Sequence, residues 1–108
     1  MSRKIRKEQD IQKAILDWLK IQRGTFAFKV TSTGIFDQKR ALFRTNQHKG
    51  IADIIGVKLG KFFAFEVKNE KGKVEDHQRQ WLEKVSSAGG YAAIVRSLGD
   101  AIEAFEEI

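Results

Sequence analysis

The chain has 108 residues, which suits one domain with a modest core and is too short for two. It has no cysteine, which removes disulfide frameworks, thiolate metal sites and cysteine nucleophiles. No apolar run approaches the ~20 residues of a membrane span, so a soluble, cytoplasmic protein without a membrane partner is expected.

A first helix is predicted over residues 8–23, where Ile11, Ala14, Ile15, Trp18 and Leu19 fall at helical spacing and Gly24 can end it. Residues 26–31 alternate like a strand. Residues 32–50 are polar and irregular apart from Ala41 to Phe43, and so long a loop in so small a domain is usually functional or mobile. Residues 51–57 read as a buried strand and 61–68 as its hairpin partner, turning near Gly60. A second helix is expected over 75–88, with Trp81, Leu82 and Val85 on one face and Gly89 and Gly90 as its stop. A strand over 91–95 and a terminal helix over 98–107 complete the order αβββαβα. The glycines Gly56, Gly60, Gly72, Gly89 and Gly90 read as turns and caps.

Five polar residues stand where this pattern expects apolar ones. Asp53 lies within the run Ile51 to Val57, where a lone carboxylate costs several kcal/mol unless paired or metal-bound. Alternation along the next strand puts Phe63, Phe65 and Val67 on one face and Ala64, Glu66 and Lys68 on the other. If the two strands pair, Asp53, Glu66 and Lys68 converge, with the Val67 carbonyl between the latter two. Two carboxylates suit a hard cation such as Mg²⁺ shared with phosphate oxygens, and a lysine beside them suits the charge that develops in phosphodiester hydrolysis. Glu8 and Gln78 lie on the apolar stripes of their helices, at positions from which an acid and an amide can join the site. The plainer explanations are a helix-terminal acid for Glu8, an amphipathic boundary for Gln78 and an exposed edge pair for Glu66 and Lys68. His48 and His77 have no ligand spacing between them.

The net charge of +6 is unevenly spread. Residues 1–7 carry Arg3, Lys4, Arg6 and Lys7, and residues 38–50 carry Lys39, Arg40, Arg44 and Lys49, with no acid in either stretch. The last ten residues carry Asp100, Glu103, Glu106 and Glu107 and no base. Such asymmetry points to a polyanion bound on one side, although solvated surface charge alone would also produce it.

The segments Gly50 to Asp53 (Gly-Ile-Ala-Asp), Glu66 to Lys68 (Glu-Val-Lys), Gln78 to Leu82 (Gln-Arg-Gln-Trp-Leu) followed by Gly90, and Ile94 to Ser97 (Ile-Val-Arg-Ser) together resemble the stand-alone VRR-NUC domains of the PD-(D/E)XK nuclease superfamily. Glu8 on an initial helix extends the resemblance over nearly the whole chain. The family often has proline before its aspartate, where this chain has Ala52; that proline is not a ligand. The resemblance implies an α/β, restriction-endonuclease-like fold: a single domain over 1–108 with a mixed four-stranded sheet flanked by helices. It implies that Asp53, Glu66 and the Val67 carbonyl bind Mg²⁺ or Mn²⁺, that Lys68 is catalytic, and that Glu8 and Gln78 are accessory. It further implies a homodimeric endonuclease acting on branched DNA, four-way Holliday junctions above all, rather than on any small molecule, in the host cytoplasm if phage-encoded. Phosphate contacts are then expected from Lys39, Arg40, Arg44, Lys49 and Arg96, and they provide affinity without base readout. The alternatives are a flap, nick or linear-duplex nuclease of the same fold, or a basic nucleic-acid-binding module without catalysis. Against the last stand Asp53 and Glu66, since carboxylates repel a phosphate backbone unless a cation intervenes.

Overall fold

A computed structural model describes residues 5–30, 35–37, 42–44 and 50–108. Helix α1 (Glu8–Lys20) leads into β1 (Thr25–Lys29), and the short strands β2 (Ile35–Asp37) and β3 (Leu42–Arg44) follow. Next come β4 (Ile54–Lys58), β5 (Lys61–Val67), α2 (Asp76–Ser87), β6 (Tyr91–Val95) and α3 (Leu98–Glu106). The main sheet has the order β1-β4-β5-β6, antiparallel except for the parallel β5–β6 pair, which α2 connects. The expected αβββαβα order therefore holds for the main sheet. The expected loop 32–50 departs from it, since β2 and β3 pair there as a separate antiparallel ribbon.

Alternation sorts each strand between two cores. Ile54, Phe63, Phe65, Val67 and Val95 pack with Ile11, Ile15 and Leu19 of α1 and with Ala101, Ala104 and Phe105 of α3. On the opposite face Ala52 and Ala64 pack with Leu82 of α2, flanked by Ile55, Trp81, Val85, Ala92 and Ile94. The first core is bound together by aromatic edges: Phe105 meets Trp18 at 5.1 Å and Phe63 at 6.2 Å between ring centroids, both near perpendicular. Both terminal helices are thereby fastened to β5, the strand that carries Glu66.

The β4–β5 hairpin turns on Leu59 and Gly60, both at positive φ (49° and 86°), the pairing that matches the right-handed twist of the flanking strands. Gly56 departs from the turn role expected of it and lies in the middle of β4. A Cβ there would stand 2.8 Å from Phe63 Cζ and 2.6 Å from the Phe26 carbonyl oxygen, so the missing side chain is what lets the Phe63 ring lie over the strand. Asp53 also shifts relative to expectation: β4 begins at Ile54, and Asp53 occupies the bend just before it.

Candidate active site

The strand ladder explains why two carboxylates meet. Ile54 pairs with Phe65 as the last rung between β4 and β5, so Asp53 and Glu66 are the next residues on the two strands, beyond the end of pairing. Asp53 replaces the missing rung with its side chain, Oδ2 accepting from the Val67 N–H at 2.8 Å. Its carbonyl accepts from the Val30 N–H at 2.7 Å, which fixes the bend from the other side. In a strand the N–H and C=O of one residue point to the same edge, so the Val67 carbonyl faces the Asp53 side too, where β4 no longer covers it.

Glu66 is 2% exposed, unusual for a carboxylate. Its Oε1 accepts from Gln78 Nε2 at 3.0 Å and lies 3.8 Å from Lys68 Nζ, an electrostatic contact too long for a hydrogen bond. Its Oε2 is buried and has no hydrogen-bond partner among the described residues. Burial pushes the carboxyl up to about 8; the neighbouring charge of Asp53 adds to this, Lys68 opposes it and Glu8 adds again. An orphaned oxygen on a buried acid next to a second acid is costly in isolation and is the arrangement a cation relieves.

Gln78 is held from both ends. It is the third residue of α2, and its Oε1 accepts from the Glu75 N–H at 2.9 Å as half of a capping box. The amide oxygen being committed there, the NH₂ is turned toward Glu66. Gly50 allows the approach: at φ 88° it lies so close to the first turn of α2 that a Cβ would meet the His77 carbonyl. Lys68 is only 12% exposed and runs beside Gly72, where a Cβ would stand 3.2 Å from Lys68 Cδ and 2.7 Å from Glu8 Oε1. The first turn of α1 thus brings Glu8 to the rim of the same site, beside Gly72 as the Lys68 stem is.

The structure brings together Glu8, Asp53, Glu66, Val67, Lys68 and Gln78. Among the described residues no group of three or more His, Cys, Asp and Glu side chains converges as a ready-made metal cage. The donor set is two carboxylates and a backbone carbonyl, all hard oxygens, which fits an ion that keeps part of its shell for water and phosphate. Lys39, Arg40 and Lys49 lie outside the described residues, as do Arg3 and Lys4; Arg44 ends β3, and Arg6 and Lys7 are exposed. Arg96 directs Nη1 to the carbonyls of Asn69 (2.7 Å) and Gly72 (2.9 Å). No periodicity could have revealed those contacts, since both acceptors are backbone atoms distant in sequence.

A family model, the VRR-NUC domain, matches residues 6–98, a span that contains every residue of this cluster. The chain belongs to the VRR-NUC family. Two solved structures share its fold. One, described as a VRR_NUC domain protein, superposes with a TM-score of 0.70 at 16% identity, covering 95% of this chain and 88% of that one. Another, a VRR_NUC domain, gives 0.65 at 21% identity over 92% and 94%. No curated protein matches. VRR-NUC domains are of the nuclease type, which makes DNA the substrate class and divalent ions the family's general cofactor. Among the described residues no helix is long and apolar enough to cross a membrane.

Proposed function

We propose that this VRR-NUC domain is a Mg²⁺-dependent endonuclease (Mn²⁺ substituting) that hydrolyses phosphodiester bonds in branched DNA, acting as a homodimer on four-way junctions. The observation that carries the catalytic reading is Glu66: buried, with one oxygen unpartnered among the described residues, next to Asp53 and within 4 Å of Lys68. Asp53, Glu66 and the Val67 carbonyl would hold the ion. When bound, it supplies Lewis acidity to the scissile phosphate and the attacking water.

The chain's own groups do the rest. Gln78 anchors Glu66 through Oε1, which leaves Oε2 for the ion. Lys68 places a nearly buried ammonium beside the two acids, where it can donate a hydrogen bond to the attacking water or to the phosphoryl oxygen as negative charge builds. Its poor exposure makes that charge act over a lower dielectric than water offers. Glu8, beside Gly72, bounds the site on the α1 side. Exposed Arg6 and Lys7 directly precede Glu8 in sequence, and with Lys39, Arg40, Arg44 and Lys49 they provide the phosphate contacts expected of an enzyme that reads DNA shape.

Self-association is supported by an apolar row on the sheet. Phe26, Val57 and Phe62 are consecutive partners across β1, β4 and β5, and they are 70%, 39% and 37% exposed. Such a row is what an isologous contact between two copies would bury, and two copies place two sites on the two strands of a symmetric junction.

Labelled four-way junction, flap and linear duplex, each with Mg²⁺, Mn²⁺ or EDTA and with Glu66→Ala as control, test the proposal. Paired symmetric nicks on the junction, lost with EDTA and in the variant, are expected. Cutting of flaps or linear duplex in place of the junction would keep the site and discard the junction reading. Tight binding with no cleavage of any substrate would refute the catalytic reading.

A further inference from the structure

The segment after β5 lies against both Lys68 and Glu8, and the Arg96 side chain reaches across to it from the neighbouring strand. Its turn is closed locally: the Lys71 N–H donates to Asn69 Oδ1 at 3.0 Å and the Gly72 N–H to the Asn69 carbonyl at 3.3 Å. Arg96 Nη1 then bridges the Asn69 and Gly72 carbonyls, at 2.7 and 2.9 Å, from the end of the neighbouring strand β6. The parallel register explains why it can reach. Val67 pairs with Val95 and the Lys68 N–H donates to the Val95 carbonyl at 3.0 Å, so Arg96 leaves β6 beside the point where the chain leaves β5.

Arg96 is itself braced. Its N–H donates to Asp100 Oδ2 at 2.9 Å, and the Asp100 N–H donates to Ser97 Oγ at 3.0 Å, the side-chain cap of α3. A guanidinium with Nη1 committed to two backbone carbonyls, each a charge-assisted bond, is poorly free to follow a phosphate. The wall it holds packs tightly on the lysine: a Cβ at Gly72 would come within 3.2–3.3 Å of Lys68 Cδ and Cβ.

We infer that Arg96 is a positioning residue for Lys68: by holding the Asn69–Gly72 turn through its two carbonyls, it confines the lysine stem so that the ammonium stays beside Glu66. This rests on the catalytic reading of Lys68 above. Arg96 acts through the turn, and its removal lowers the rate of the chemical step while leaving DNA affinity in place.

The test is a double-mutant cycle of Arg96→Ala and Lys68→Ala, read by single-turnover cleavage at saturating junction DNA with Mg²⁺, by the Kd and its salt dependence in EDTA, and by amide hydrogen exchange of residues 69–72. Arg96→Ala alone is expected to slow cleavage about 10–100-fold, the scale of a small misplacement of a reacting group. In the Lys68→Ala background it should add little further loss, because both changes remove the same group from its place. Kd and its salt slope should stay as in the unmodified protein, whereas loss of a phosphate contact would lower the slope by about 1. Exchange at Lys71 and Gly72 should accelerate. A fully additive rate loss, a lowered salt slope, or unchanged exchange at the turn would each overturn the inference. If Lys68→Ala leaves cleavage intact, the catalytic reading fails instead, and the exchange data still report on the turn. Arg96→Gln, shorter and uncharged, serves the same cycle should the alanine variant not fold.

Discussion

Replacing Glu66 by Gln removes a charge and keeps the shape, so it isolates what the buried carboxylate does to the fold. The amide oxygen can still accept from Gln78, and the new NH₂ can donate to Asp53. The folded protein holds the Glu66 proton up to about 8, against 4.5 for an unperturbed glutamate. The sign follows from linkage: near pH 4.5 and below, the group is largely protonated in both states and costs nothing. As pH rises toward 8 the unfolded chain releases the proton and the folded one retains it, so stability falls. Above about 8 the whole cost is present. At 1.36 kcal/mol per pH unit the ceiling is about 5 kcal/mol; local opening that admits water reduces this, to about 2 kcal/mol as a working figure. Thermal unfolding in EDTA at pH 8.5 should therefore show Glu66→Gln melting above the unmodified protein by about 8 °C or more, at about 4–8 °C per kcal/mol for a domain of this size. At pH 4.5 the two should nearly coincide. Mg²⁺ at pH 8.5 should raise the melting point of the unmodified protein and not that of the variant. An equal difference at both pH values, or a less stable variant at pH 8.5, would mean that the carboxylate is already satisfied and that the case for a cation there is lost.

Asp53→Ala should abolish cleavage while DNA binding holds or tightens, since a repulsive charge is gone; weaker binding with intact cleavage would refute the assignment. The same change leaves the Val67 N–H without its partner, and chemical denaturation should show a loss of about 1–3 kcal/mol. Reversing Lys39, Arg40 and Arg44 to acids should raise Kd and flatten its salt dependence in a fluorescence-anisotropy titration; an unchanged slope would remove that segment from the DNA contacts. Phe26→Asp, at a position 70% exposed, should leave the fold stable and shift sedimentation at micromolar concentration from dimer to monomer. A monomeric parent would refute the dimer itself, and a variant that stays dimeric would move the interface elsewhere.

Periodicity along the chain was enough to determine the helices, the four strands of the main sheet and their order, because each buries one face and repeats its apolar residues at 3.6 or 2 positions. It also exposed Glu8, Asp53, Glu66, Lys68 and Gln78, since each is a polar residue out of step with an apolar stripe. Gly56 was legible as a glycine and not as a notch for Phe63, because that need arises only when the two strands lie side by side. The β2–β3 ribbon was hidden since its strands are three residues each, too short to show a period. Arg96 looked like one more basic residue. Only the parallel register of β5 and β6 brings its guanidinium to the carbonyls of Asn69 and Gly72, and backbone acceptors leave no mark in side-chain pattern. Tertiary structure likewise decided that Asp53 ends a ladder rather than sitting within one, and that Glu66 keeps an oxygen without a partner among the described residues. Burial and pairing belong to the assembled sheet, and no single strand carries them.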